Sequence, residues 1–244
     1  MQYDKGVDMF RIPFYLGTFI SWFVPGRERR RRLRGKINVF FFYIPIARFV
    51  KRVYGEHVNK IRFVRQISMK RMTCVVNDRY YVKIFRFVSV ERLNDYKFLL
   101  DFIRPYLKIQ IPEIFVAKHI PMYVADKLCG QDMRDFDKAL VLKNEKKIKQ
   151  QMFDIIDALK SVPVSKIPNN QRFVYCVQNR HGAHQNIGKG AVLAHCDLNA
   201  SNLRLDDDMN IVSIIDWDSM AIVQDPNTDK NKFEKLWGIF KGQK

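Results

Sequence analysis

His195, Asp197 and Asn202, followed by Asp216, Trp217 and Asp218, are the residues of this chain best suited to chemistry, and they fall within one short stretch. Leu203–Leu205 and residues 211–215 are short apolar runs rich in β-branched side chains, and Asp206-Asp-Asp-Met-Asn210 between them is a turn-forming cluster. The pattern predicts a β-hairpin. If the two runs pair about that turn, Asn202 and Asp216 lie side by side at its open end, with Asp197 in the loop leading in. A carboxylate, an amide oxygen and a second carboxylate then converge. Oxygen ligands of this kind suit Mg²⁺, which keeps waters and shares its remaining positions with substrate phosphates. Asp and Asn are ordinary loop residues, so the weight rests on the ordered set rather than on any one of them.

Such a loop needs elements to hold it. Residues 144–161 carry apolar side chains at 148, 152, 155, 156 and 159 with charged residues opposite, which predicts an amphipathic helix beneath it. Upstream, Thr73-Cys-Val-Val76 and Arg79-Tyr-Tyr-Val-Lys83-Ile-Phe flank an Asn77-Asp78 turn and read as a second hairpin. Residues 89–104 bear an apolar stripe at 90, 93, 98, 99, 102 and 103, the spacing of a helix. Pro163 and Pro168 open an irregular Asn-, Gln- and Gly-rich segment that reaches Gly190. Its His181 and His184 have no Cys or acid beside them and make a poor metal site.

The sequence His195-x-Asp197-x-x-x-x-Asn202, a short hairpin, Ile215-Asp216-Trp217-Asp218 and then Asp225-Pro226 resembles the catalytic and metal loops of the aminoglycoside phosphotransferase and choline kinase family. These are protein-kinase-like small-molecule kinases, among them the lipopolysaccharide-core sugar kinases. Protein kinases themselves carry H-R-D and a downstream D-F-G, so Trp217-Asp218 points to the small-molecule branch. The resemblance covers roughly residues 61–229 and is strongest from 193 to 226. It implies an α+β, protein-kinase-like two-lobed fold with a small antiparallel-sheet N-lobe and a mainly helical C-lobe. It also implies ATP- and Mg²⁺-dependent phosphoryl transfer to a hydroxyl, a reaction that asks the protein mainly for positioning and charge neutralisation.

Carried over residue by residue, the resemblance makes Asp197 the acceptor of the hydroxyl proton and His195 a brace for its loop. Asn202 and Asp216 hold the metal, and Asp218 shares metal or loop duties. Lys83 grips the phosphates. Asp95 stands where the family has the Glu that pairs with this lysine, with Glu91 one turn earlier as the competitor. Backbone groups near Ala125 to Lys127 hold the adenine. One departure is plain: no Gly-rich loop precedes Thr73. The turn there is Ser68-Met-Lys-Arg71, whose Lys70 and Arg71 supply charge to the phosphates or are simply solvated.

At 244 residues with 47% apolar content, the chain is long enough for a real core. The expected plan is a segment over 1–60, a nucleotide-binding N-lobe and hinge over 61–130, and a catalytic C-lobe over 131–244. Cys74, Cys129, Cys176 and Cys196 show no C-x-x-C pairing, which favours reduced thiols and a cytoplasmic protein. There is no internal repeat and no cleavable signal peptide.

Charge is uneven. Residues 1–72 hold 17 Lys/Arg against 4 Asp/Glu, and the remaining 172 hold 26 against 21, so the whole-chain balance of +18 divides as +13 and +5. Phe10, Phe14, Tyr15, Phe19, Trp22 and Phe23 precede the run Arg27-Glu-Arg-Arg-Arg-Arg-Leu-Arg34-Gly-Lys36, and Val39-Phe-Phe-Phe-Tyr-Ile44 follows it. Neither apolar block reaches the roughly 18–20 residues of a spanning helix, and Pro13, Pro25 and Pro45 are expected to interrupt them. Three readings stay open: an anchor on an anionic membrane surface, packing against the N-lobe, and binding of nucleic acid. Only 28 residues follow Asp216, where members of the family it resembles commonly add several helices, and the resemblance then implies an open acceptor side suited to a large or lipid-linked sugar. A free small molecule is the second acceptor class. A pseudokinase that docks through its first 60 residues is the non-catalytic alternative.

Overall fold

In the computed structural model, residues 12–64, 71–167 and 190–242 are described. The expectations for Phe10, for the turn residues Ser68 and Lys70, for Cys176 and for His181 and His184 lie outside them. The chain divides into two compact units, Met1–Lys97 with Glu113–Lys127, and Phe98–Pro112 with Leu128–Lys244.

The first unit is built on a five-stranded antiparallel sheet in the order β1-β2-β3-β5-β4. Its strands are β1 (Ile61–Phe63), β2 (Arg71–Val76), β3 (Tyr80–Phe85), β4 (Ile114–Val116) and β5 (Met122–Asp126). The β2–β3 turn is the predicted Asn77-Asp78 pair. Both residues have positive φ, 50° and 56°, which matches the twist of a tight hairpin and which Asn and Asp tolerate. Asn77 also fixes the chain that enters the sheet. Its side-chain oxygen accepts from the Asn59 and Lys60 amides at 2.9 and 3.2 Å, and its Nδ2 donates to the His57 carbonyl at 2.7 Å.

Ahead of the sheet stands a helical hairpin, α1 (Ile12–Trp22) and α2 (Arg27–Tyr54). Pro25 falls in the turn and Pro13 in the first turn of α1, where a missing N–H is tolerated. Pro45 does not interrupt the second apolar block as expected but lies inside α2. Phe42, Ile46, Phe49 and Val50 recur at helical spacing on the buried face of α2. With Phe14 they join Met72, Cys74 and Val76 of β2, Tyr80, Val82 and Ile84 of β3, and Met122 and Val124 of β5 in one core. Every second residue of each strand therefore faces the hairpin, as strand pleating requires. At its far end α2 stacks Tyr54 on Tyr80, ring centroids 4.0 Å apart, and stops at the left-handed Gly55. Packing against the N-terminal sheet is thus real for one side of this segment. Phe40, Phe41, Tyr43 and Ile44 on α2 and most of the outer side of α1 remain exposed.

Helix α3 (Val90–Ile103) begins in the first unit, with Ser89 accepting from the Arg92 amide at its start. The second unit contains β6 (Gln131–Asp132), α4 (Lys138–Lys143), α5 (Glu145–Ser161), β7 (Val192–Ala194), β8 (Leu203–Leu205), β9 (Ile211–Ile214), β10 (Ala221–Val223) and α6 (Thr228–Lys241). The buried residues of α5 are Ile148, Met152, Ile155, Ile156 and Leu159, the five expected. Strands β8 and β9 form the predicted hairpin, Leu203 opposite Ile214, with β6 added beside β8. Gln151 of α5 accepts from the Ile211 amide at 2.7 Å and pins it. Gly130, where β5 leaves toward β6, has φ +86°, and a Cβ there would meet Val212 Cγ2 at 2.6 Å. Only glycine fits.

The two faces of α2 make separable predictions. Phe42 is 2% exposed and Phe40 79%. Phe42→Ala should lower unfolding free energy by about 3–5 kcal/mol, measured by urea denaturation, and Phe40→Ala should stay within about 0.5 kcal/mol of the parent.

Candidate functional site

Strand β7 pairs with β10, Ala194 opposite Ala221, so the loop after β7 and the turn before β10 start from one place. His195 follows β7 directly and is fully buried. Cys196 after it takes a left-handed conformation, φ 59°, which costs an ordinary L-residue about 1–2 kcal/mol. The reversal turns the His195 and Cys196 amides to a single carboxylate. Asp229, in the first turn of α6, accepts from them at 2.6 and 2.8 Å. Asp229 is itself only 3% exposed. Burial pushes its pKa up, and the two amide bonds and the Lys232 charge oppose that shift.

The His195 ring bridges the two loops. Its Nδ1 accepts from the Asp197 amide at 3.2 Å, which leaves the proton on Nε2, 3.3 Å from the Ile215 carbonyl. The ring also lies edge-on to Trp217 at 4.5 Å, and Trp217 Nε1 donates to the Ile214 carbonyl at 2.8 Å. A neutral, doubly bonded imidazole in this position holds geometry.

Asp197 is half-buried. Beyond it Asn199 caps a single 3₁₀ turn, Ala200–Asn202, through the Ser201 amide at 2.9 Å. That turn swings Asn202 back, so its Nδ2 donates to the Asp197 carbonyl at 2.8 Å and reaches Asp197 Oδ2 at 3.4 Å. Both of these contacts are made by the amide nitrogen, which leaves Oδ1, accepting from the Ser201 hydroxyl at 3.4 Å, as the atom that could meet a cation. The Ile215 amide donates to the Asn202 carbonyl at 2.9 Å. Asp216 next to it is left-handed, φ 60°, and half-buried. The open end of the hairpin therefore holds Asn202 across from Ile215 and Asp216, with Asp197 tied to Asn202. Asp218 is wholly buried.

Sequence reasoning missed Asp229 and Lys232. Lys232 Nζ sits 3.4 Å from Asp197 Oδ1 and donates to the Cys196 carbonyl. Acids in first helical turns and surface lysines are common, so neither residue carried a signal.

The remaining predicted residues belong to the first unit. Lys83 lies on β3 opposite Thr73 and Tyr123, with Nζ 5.8 Å from the Tyr123 ring centroid. The Tyr96 ring of α3 lies 5.9 Å from the same ring. Asp95 is half-buried and Glu91 exposed. Hydrogen bonds to its own backbone amide and to Ser89 hold Glu91 below the usual carboxylate range, the bonding of a helix-start group. Ala125 is registered against both Tyr81 and Ile114, inside the sheet. The Lys127 amide donates to the Arg79 carbonyl at 2.7 Å. The Lys127 N–H is therefore engaged by the β2–β3 hairpin itself. Among the described residues no three His, Cys, Asp or Glu side chains gather in a way that could hold a metal ion by themselves.

No protein-family profile and no curated protein matches this sequence. Solved structures do match. The GDP complex of wild-type aminoglycoside 2'-phosphotransferase-IIIa is 15% identical, over 82% of this chain and 80% of that one, with a TM-score of 0.55. Macrolide 2'-phosphotransferase MphH from Brachybacterium faecium is 14% identical over 83% of each chain, TM-score 0.55. A mutant of aminoglycoside phosphotransferase APH(4)-Ia in ternary complex with AMP-PNP and hygromycin B is 14% identical, over 81% of this chain and 80% of that one, TM-score 0.51. The chain has the two-lobed α+β, protein-kinase-like fold of these phosphotransferases.

The His195 brace predicts a pH response. Burial holds its pKa below 6.5, against the pull of Asp229, Asp197, Asp216 and the Ile215 carbonyl. The folded state thus favours the neutral ring and the unfolded chain binds the proton more readily. The stabilisation is complete above pH 6.5 and fades as pH falls below it toward the folded value. In urea denaturation, the stability gap between the parent and His195→Asn should shrink on acidification through 6.5. A gap independent of pH would exclude the neutral brace.

Proposed function

We propose that a chain with this fold is a kinase, transferring the γ-phosphoryl group of ATP, with Mg²⁺, to a hydroxyl of a sugar or other small molecule. One observation carries the reading. The Asn202 side chain is bonded to Asp197 and its backbone to Ile215, which fixes Asp197, Asn202 and Asp216 at one hairpin end. Neighbours of the same fold bound to GDP, or to AMP-PNP with hygromycin B, support a nucleotide and a hydroxyl-bearing acceptor.

Asp197 orients the acceptor hydroxyl and takes its proton. Lys232, held against Asp197 and the Cys196 carbonyl, keeps that carboxylate in place and adds positive charge where phosphoryl oxygens arrive. His195 positions the loop. Amide and carboxylate oxygens from Asn202 and Asp216 fit Mg²⁺, which relies on phosphate oxygens and water for its other positions. That cation neutralises phosphate charge when bound. The complete burial of Asp218 favours a loop role for it over a share in the metal. In the first unit Lys83 grips the nucleotide phosphates, and Asp95 is its partner in preference to the capping Glu91. The joint presence of Lys83, Asp197, Asn202 and Asp216 opposes the pseudokinase alternative.

The acceptor is a lipid-linked sugar, such as one of a lipopolysaccharide core, met by a protein peripheral on the cytoplasmic face of the inner membrane. The exposed aromatic residues and neighbouring arginines of α1 and α2 support this over a free small molecule. ATP consumption assayed with extracted glycolipid, an aminoglycoside and choline separates the acceptor classes, and turnover with the glycolipid alone is expected.

Mg-ATP should raise the thermal midpoint by mass action on the folded state, and Asp216→Asn should remove the metal-dependent part. An unchanged parent midpoint at millimolar Mg-ATP would sink the kinase reading. Asp197→Asn should bind Mg-ATP normally and lose about 10²–10⁴ in turnover, the range for a positioned base. Retention of more than about a tenth of parental turnover would remove Asp197 from that role.

A further inference from the structure

Helix α1 turns an apolar side outward: Pro13, Phe14, Gly17 and Ser21 are buried, whereas Ile12, Tyr15, Leu16, Phe19 and Ile20 form an exposed stripe. A surface helix normally turns a polar face outward. The stripe continues into Trp22 and Phe23, 76% and 77% exposed. Scattered exposed apolar residues mean little, but a contiguous patch marks a binding surface. Immediately across the turn, α2 starts with Arg27, Arg29, Arg30, Arg31, Arg32, Arg34 and Lys36, relieved only by Glu28, which pairs with Arg32 at 2.9 Å. Cations at a helix start oppose the helix dipole, and like charges one turn apart repel. Arg34 shows the strain: burial, then the charges of Arg31 and Arg30, lower its pKa. An external anionic surface removes both penalties.

We infer that the α1–α2 hairpin docks on an anionic phospholipid bilayer, sinking the outer face of α1 and Trp22-Phe23 into the interface while the arginines at the start of α2 meet lipid phosphates. No helix of the described residues is long and apolar enough to cross a membrane, so this is a surface anchor. Charge and chemistry single out this occupant. A nucleic acid would satisfy the arginines and leave the aliphatic stripe of Ile12, Leu16 and Ile20 uncovered. A second copy of the chain would cover the stripe and bring two arginine clusters together. The inference deepens the lipid-linked acceptor reading, and it stands or falls apart from the kinase chemistry.

The test uses the full chain and vesicles of phosphatidylcholine with and without phosphatidylglycerol. Co-sedimentation should require the anionic lipid and weaken as salt rises. Replacing Arg29, Arg30, Arg31 and Arg32 with Ser should reduce anionic binding by about tenfold or more. The double change Trp22→Ser with Phe23→Ser should reduce it even at low salt. Both variants should keep the parental thermal midpoint and its rise with Mg-ATP, which separates loss of docking from loss of the kinase fold. Equal binding to neutral vesicles, or binding indifferent to these substitutions, would overturn the inference. So would absent vesicle binding, whether the chain instead binds RNA, self-associates through Trp22-Phe23, or loses stability when those residues are changed.

Discussion

The carboxylate of Asp229 is the constraint on which the second unit's candidate site rests. It accepts two buried amides, from His195 and from a Cys196 forced into a left-handed turn. Without it, two N–H groups would be left buried and unpaired, at about 1–3 kcal/mol each. That is a large share of the roughly 5–15 kcal/mol that holds a typical domain together. The turn so held directs the chain at Asp197, and the ring of His195 then ties the same loop to the Ile215 carbonyl. One helix start thereby sets two loops at once. Lys232, one turn further along α6, meets the Cys196 carbonyl from the other side.

Polar groups placed in this way form a chain of dependence with few free members. Asn199 caps the turn that delivers Asn202, Asn202 bonds Asp197, and Ile215 bonds Asn202. The loop residues are therefore pre-positioned by the protein, which is what the proposed phosphoryl transfer would require of it. At about 15% identity to its structural neighbours, the chain shares a fold with them while most of its sequence differs. The candidate site is accordingly defined by this bonded set of its own residues.

The helical hairpin of the first unit shows the opposite economy. Its inner face is bound into the sheet core by Phe14, Phe42, Ile46, Phe49 and Val50, whereas its outer face leaves large aromatics in water. Both faces are apolar, so composition could not distinguish a packed segment from an anchor. The structure packs one face of that segment on the sheet and leaves the other exposed.

Periodicity and turn chemistry alone determined a good deal. The Asn77-Asp78 and 206–210 turns, the stripe of α5 and the strands about Lys83 are local signals, because side-chain spacing and φ preference act over a few residues. The order His195, Asp197, Asn202, Asp216 was equally legible, since its members are close in sequence. What tertiary structure decided lay at long range. The pairing of β7 with β10, the reach of Asp229 and Lys232 to a loop more than thirty positions upstream, and the use of the Lys127 amide by Arg79 all depend on partners no local pattern names. Pro45 inside α2 belongs here too: a residue that locally breaks helices is tolerated where the burial of Phe42, Ile46 and Phe49 on the sheet outweighs one missing hydrogen bond.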